Sequence, residues 1–127
     1  MEEKQAGVGA GQSPAQAPGV IGYDEFAKVE MKVGLVRTVE KVQGADRLLK
    51  MTVDTGESEP RTIVAGIAQA YPDPQLLTGK RIVVVTNLAP RVLRGIASRG
   101  MLLAAGEPPN LSVVAVDGPI PPGTPVR

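Results

Sequence analysis

Residues 28–42 form a single long run of strand-like sequence whose two-residue alternation changes phase part-way. Val29, Met31 and Val33 face one way and Glu30 and Lys32 the other; Gly34 then intervenes, and apolar Leu35 and Val36 stand side by side. Beyond them Arg37, Val39 and Lys41 alternate with Thr38, Glu40 and Val42. A glycine inside a long strand at a change of phase predicts a bulge or sharp bend there. Small closed barrels use such a strand to serve two sides of one curled sheet.

The rest of the chain fits that constraint. Its 127 residues amount to one domain, and 17 Val with 6 Ile favour strands, while 15 Gly and 12 Pro make those strands short. Strands are expected at 48–55, 61–65, 80–88 and 101–105, with another at 111–116. One helical turn is expected at 23–26, with Asp24 and Glu25 near its positive end, and a short helix at 66–71, stopped by Pro72 and Pro74. Residues 89–100 read as a loop and 117–127 as extended edge structure. Five principal strands with a short helix between the third and fourth match an all-β OB-fold, a five-stranded Greek-key barrel. The domain runs over 21–127, with 106–127 as a C-terminal extension. Residues 1–20 contain four Gly and four Ala and almost nothing large to bury, so they read as a flexible arm.

With no Cys and no His, the chain has no thiol nucleophile, no imidazole base and no His/Cys zinc site. Catalysis would fall to carboxylates, Lys80, Tyr71 or a metal, and Asp54, Glu57 and Glu59 around one turn read as solvated turn residues. No enzyme activity and no cofactor or metal is expected. Without an apolar run of the roughly 20 residues that span a bilayer, and without a signal-peptide pattern, a soluble cytoplasmic protein is the expectation.

The net charge of +1 conceals an asymmetry. Residues 80–99 hold Lys80, Arg81, Arg91, Arg94 and Arg99 and no acidic residue. Such a stretch suits phosphates, since each cation that neutralises one releases bound counterion. Only Tyr23, Phe26 and Tyr71 are aromatic, and none lies on an expected strand. The base-stacking platform of single-strand-binding OB-folds is therefore missing, which makes folded RNA a better partner than a flexible single strand.

Four stretches taken together carry a resemblance: FAKVEMKVG at 26–34, GADRLLK at 44–50, IVAGI at 63–67, and NLAPRVLRG at 87–95 leading into SRGM at 98–101. In this order and spacing the chain resembles the tRNA-binding domain family. That family includes the free-standing bacterial tRNA-binding protein, the C-terminal domain of methionyl-tRNA synthetase and the cytokine-like domains of eukaryotic synthetase complexes. The resemblance covers residues 21–127. It implies an OB barrel with a dimerising C-terminal extension, binding tRNA by shape at the outer corner of the L, either free-standing or as an aid to an aminoacyl-tRNA synthetase. By the same resemblance Asn87 and Pro90 match an Asn-Leu-x-Pro element, and Ser98, Gly100 and Met101 a Ser-x-Gly-Met element whose Ser and Met lie at the tRNA surface. Arg47 stands where relatives often have Lys, in the turn after the first strand, and Lys32 where Arg is frequent.

From the residues themselves, Arg91, Arg94 and Arg99 are the expected phosphate contacts. Asn87 reads as an RNA contact or a turn-stabilising amide, Ser98 as a contact or a satisfied loop hydroxyl, and Met101 as core or as an apolar surface for an exposed base. An uncovered strand edge at 111–116 would favour a homodimer built from 106–127 with help from the 23–26 turn. A chaperone or protein-interaction module of related fold is the alternative class.

Overall fold

The computed structural model describes residues 18–127, so all but the last three residues of the expected arm lie outside the described residues. The described chain divides into two compact units, 18–30 with Arg127, and 31–126. The first holds one helical turn, Tyr23–Phe26 (α1), with Asp24 and Glu25 in that turn and Glu25 paired to Lys28 at 3.2 Å. Val20, Ile21, Tyr23, Phe26 and Val29 are all exposed.

The second unit is the barrel. Its strands are β1 (Met31–Val42), β2 (Ala45–Asp54), β3 (Arg61–Ala65), β4 (Arg81–Val85), β5 (Arg91–Leu93), β6 (Ile96–Ser98), β7 (Met101–Leu102), β8 (Ala104–Glu107), β9 (Asn110–Val113) and β10 (Pro125–Val126). The main sheet runs β3-β2-β1-β4-β7. Consecutive strands β1, β2 and β3 are followed by a fourth that returns beside the first, which is the Greek-key order. The fold is an all-β OB-fold.

β1 serves both sides of the sheet, and Leu35 is the point of exchange, paired with Arg81 of β4 and Asp54 of β2. The phase change, however, is not at Gly34. The register slips between Val36 and Thr38, so the bulged residue is Arg37. Gly34 is needed for another reason: a Cβ there would stand 2.6 Å from a Val53 methyl and 2.9 Å from a Val84 methyl. The barrel wall closes over that position from both neighbouring strands. Leu49, Met51, Val53, Ile63, Leu77, Ile82 and Val84 form the buried centre, each at 1% exposure or less. Full burial of such a side chain is worth about 1.5–3 kcal/mol.

Between β3 and β4 the chain makes two 3-10 turns, Ala68–Ala70 and Pro74–Leu77, the first within the short helix expected at 66–71. Residues 89–100, expected as a loop, form the β5–β6 hairpin. The C-terminal extension differs most from expectation. β8 and β9 make their own hairpin, and Ala115 bridges to Ile82. β10 then lies along β1 just beyond the point where β2 leaves it, with Val33 N–H donating to Thr124 O at 2.9 Å and Gly123 N–H to Val33 O at 2.8 Å. Much of the edge expected to be uncovered is thus paired within the chain. Among the described residues, no helix is long and apolar enough to cross a membrane.

Candidate nucleic-acid interface

β5 and β6 pair as Arg91–Ser98, Val92–Ala97 and Leu93–Ile96, which leaves Arg94 and Gly95 as a two-residue turn. Both have positive φ, 52° and 78°. This is the primed geometry whose twist matches that of the flanking strands. Glycine takes it readily, but Arg94 does so at a cost of about 1–2 kcal/mol. A charged, strained residue thereby occupies the hairpin tip, a placement typical of functional positions. Arg91, Arg94 and Arg99 are all exposed, and Val92 on the same hairpin is 70% exposed.

β3 supplies the brace for this hairpin. Arg61, its first residue, has a side chain 15% exposed. Its Nε and Nη2 donate to the two carboxylate oxygens of Glu57, both at 2.8 Å. Its Nη1 donates to Thr86 O at 2.8 Å and Arg99 O at 3.0 Å. Thr86 follows β4 and Arg99 follows β6, so one guanidinium joins the two ends of residues 86–99 at the neck of the hairpin. Thr62 O accepts from Arg99 N–H at 2.8 Å, and Val64 N–H donates to the Ser98 hydroxyl at 2.9 Å. These contacts close the barrel between β3 and the β6–β7 leg.

Glu57 holds the guanidinium as a carboxylate. The bonds from Arg61 and then the Thr55 hydroxyl lower its pKa from 4.5 to about 2, with the charges of Arg61 and Lys32 adding to the shift. Asp54 is also held below the usual carboxylate range, first by the Gly56 N–H and then by Arg37. Glu57 and Asp54 are therefore engaged turn carboxylates rather than merely solvated ones, and no group of three or more metal-ligating side chains occurs among the described residues.

The structure separates the expected contact residues. Arg91, Arg94 and Arg99 share the hairpin and its neck, and Asn87 is exposed just after Thr86, where the segment leaves β4. Met101 opens β7 opposite Val85 and is 47% exposed, a surface residue rather than core. Ser98 points inward at 5% exposure; besides accepting from Val64, its hydroxyl donates to Gly100 O at 3.4 Å. This occupies it in the barrel wall and not at a surface. Arg47 is exposed on β2 rather than in a turn, two residues before the Leu49–Ala65 pair, with β3 between it and the β6 leg. Lys32 is half-buried on β1 between Val84 and Pro125, and its charge acts on Glu57. Arg81 donates to Ile120 O at 2.8 Å and so fastens the C-terminal tail. Arg61 was not among the expected residues; its only local signal is a Glu four positions earlier across a Ser-Glu-Pro turn.

Residues 31–125 match the model of the tRNA binding domain family, from the first residue of β1 to the first of β10. The chain belongs to this family. It is 56% identical over 107 residues to a methionine–tRNA ligase of Myxococcus xanthus, covering 84% of this chain and 15% of that protein. It is 42% identical over 123 residues to the methionine–tRNA ligase of Xanthomonas campestris, covering 96% of this chain and 18% of the other. The chain thus spans less than a fifth of these relatives. The crystal structure of a MetRS-related protein from Pyrococcus horikoshii superposes with a TM-score of 0.78 at 40% identity, covering 85% of this chain and 98% of that one. The chaperone CsaA from Bacillus anthracis shares the fold, with a TM-score of 0.76 at 23% identity, covering 85% and 99%.

Proposed function

We propose that this domain is a non-catalytic module that holds folded tRNA at the outer corner of the L, reading backbone shape with little regard to sequence. The β5–β6 hairpin carries this reading: exposed Arg91 and Arg94 stand on a braced element, and residues 80–99 contain no acidic side chain. Phosphate contacts of this kind set affinity and register without specifying bases. Asn87 and Met101 flank the hairpin as candidates for ribose or base contact, and Arg47 on β2 and Lys32 on β1 add cations. Family membership and the likeness to methionine–tRNA ligases support action beside or within an aminoacyl-tRNA synthetase.

The module acts as a homodimer. Exposed large apolar side chains support this in both units: Val20, Ile21, Tyr23, Phe26 and Val29 in the first, Val114 and Ile120 in the second. Native mass measurement with and without bulk tRNA reports dimerisation and stoichiometry together. Competition at equal salt between intact tRNA and a single-stranded oligonucleotide of equal length tests the shape reading. Equal affinity for the two would contradict it, and retained binding of an unfolded polypeptide by a variant lacking the hairpin would favour a chaperone instead.

A further inference from the structure

We infer that Arg61 is a positioning residue for RNA binding: its guanidinium, held by Glu57, ties together Thr86 and Arg99, which flank the β5–β6 hairpin, in the free protein, so that the cations of the hairpin meet the phosphates already arranged. This rests on the reading proposed above.

The geometry ties Arg61 to the neck of the hairpin. Its side chain is 15% exposed, and four of the five N–H donors of a guanidinium are directed at the two Glu57 oxygens and two backbone carbonyls. A carboxylate–guanidinium fork is a directional pair, so Glu57 orients the plane while Nη1 bridges Thr86 O and Arg99 O. The hairpin itself is a two-stranded element of three residues a side. Isolated hairpins of this kind are marginal in water. Its order must come from the neck, where Arg61 holds residues 86–99 at two carbonyls and Thr62 and Val64 of β3 hold them at one point each. Rigidity before binding removes an ordering cost from the binding free energy without adding a contact to RNA.

The decisive variants are Arg61→Met, which removes the clamp, and Glu57→Gln, which keeps the cation but loses the charge-assisted fork. Both are made in the full chain. In the free proteins, backbone order parameters of residues 91–97 are expected to fall from the rigid range of about 0.85 toward 0.6, with those of Met51 and Ile63 in the core unchanged. Affinity for bulk tRNA should fall about 10- to 100-fold in Arg61→Met and less in Glu57→Gln. The slope of log K against log salt should stay at the wild-type value, because the phosphate contacts made in the complex are the same. Arg61→Lys, a point charge without the fork, should restore little of the affinity. If Arg61→Met proves unfolded, Glu57→Gln alone decides.

Unchanged hairpin order parameters overturn the inference whatever the affinities are. A slope reduced by about 0.7–0.9 in Arg61→Met overturns it too, by making Arg61 itself a phosphate contact. Absence of tRNA binding by the wild-type protein would instead overturn the proposed function; the order parameters would still report whether Arg61 holds the hairpin.

Discussion

The Ser98 hydroxyl accepts a hydrogen bond from the Val64 N–H at 2.9 Å, where the sheet's two ends meet. A side-chain oxygen here takes the place of a ladder carbonyl, and both residues are buried. Ser98→Ala would leave that N–H without its acceptor, at a cost of about 1–3 kcal/mol. Chemical denaturation should show this loss, while the folded fraction keeps wild-type affinity for tRNA. Lost affinity at unchanged stability would return Ser98 to the RNA surface.

Met101 gives the opposite pattern. At 47% exposure its side chain contributes little to the core, so Met101→Ala should lie well below the roughly 2–5 kcal/mol of a core Met→Ala change. Affinity for tRNA should fall, with the salt slope unchanged because no charge is removed. A full core-sized loss of stability with intact affinity would contradict the surface role.

Arg94 separates strain from charge. Its φ of 52° is costly for Arg and easy for Gly. Arg94→Gly should therefore hold or raise the thermal midpoint while weakening all tRNAs alike. Its salt slope should shrink by about 0.7–0.9 for one lost phosphate contact. Arg91→Ala and Arg99→Ala should share the slope change without the relief of strain. Wild-type slopes in all three would move the interface to Lys32, Arg47 and Lys50.

These contrasts show which features local sequence carries. Alternating Val, Met and Leu mark β2, where Leu49, Met51 and Val53 bury one face, while β4 is legible as a continuous apolar run, buried from Ile82 to Val85. The β5–β6 hairpin was not legible: its strands have three residues each, and its turn puts Arg where local signals expect Asn or Gly. The sequence predicts a bulge or sharp bend at Gly34, whereas the register slips at Arg37; the need for glycine at 34 comes from Val53 and Val84 on other strands. Arg61 lies 25 and 38 residues from the carbonyls it binds, and Ser98 lies 34 from Val64. No local pattern encodes partners at that separation, so from sequence Ser98 stays open between an RNA contact and a satisfied loop hydroxyl, and nothing singles out Arg61.

The depressed Glu57 carboxyl makes stability depend on acid. Its folded pKa of about 2 lies below its ordinary value of 4.5, so protons bind the unfolded chain more readily. The contribution is complete above about pH 4.5 and is lost as pH falls toward 2. Asp54, shifted in the same direction, adds to the loss. Urea denaturation from pH 6 to pH 2.5 should show a shallower decline in Glu57→Gln than in wild type. Parallel curves would place the acid sensitivity elsewhere.

The tail distinguishes pairing within the chain from pairing between copies. Gly123 has φ 91° and sits against Gly56; a Cβ on it would lie 3.0 Å from Gly56 Cα and from Thr55 O. Gly123→Ala should thus loosen β10 from β1, costing at least about 1–2 kcal/mol from backbone strain alone. Removing residues 119–127 should cost more, because Val33 then loses the partners of both its N–H and its carbonyl. The exposed β1 edge should also promote association into larger species. Since Val33 finds these partners in its own chain, the Gly123→Ala loss should be independent of protein concentration, whereas a contact supplied by a second copy makes stability rise with concentration. Denaturation midpoints at two concentrations a hundredfold apart separate the two cases, and a deficit that disappears at the higher concentration would assign the tail to the dimer interface.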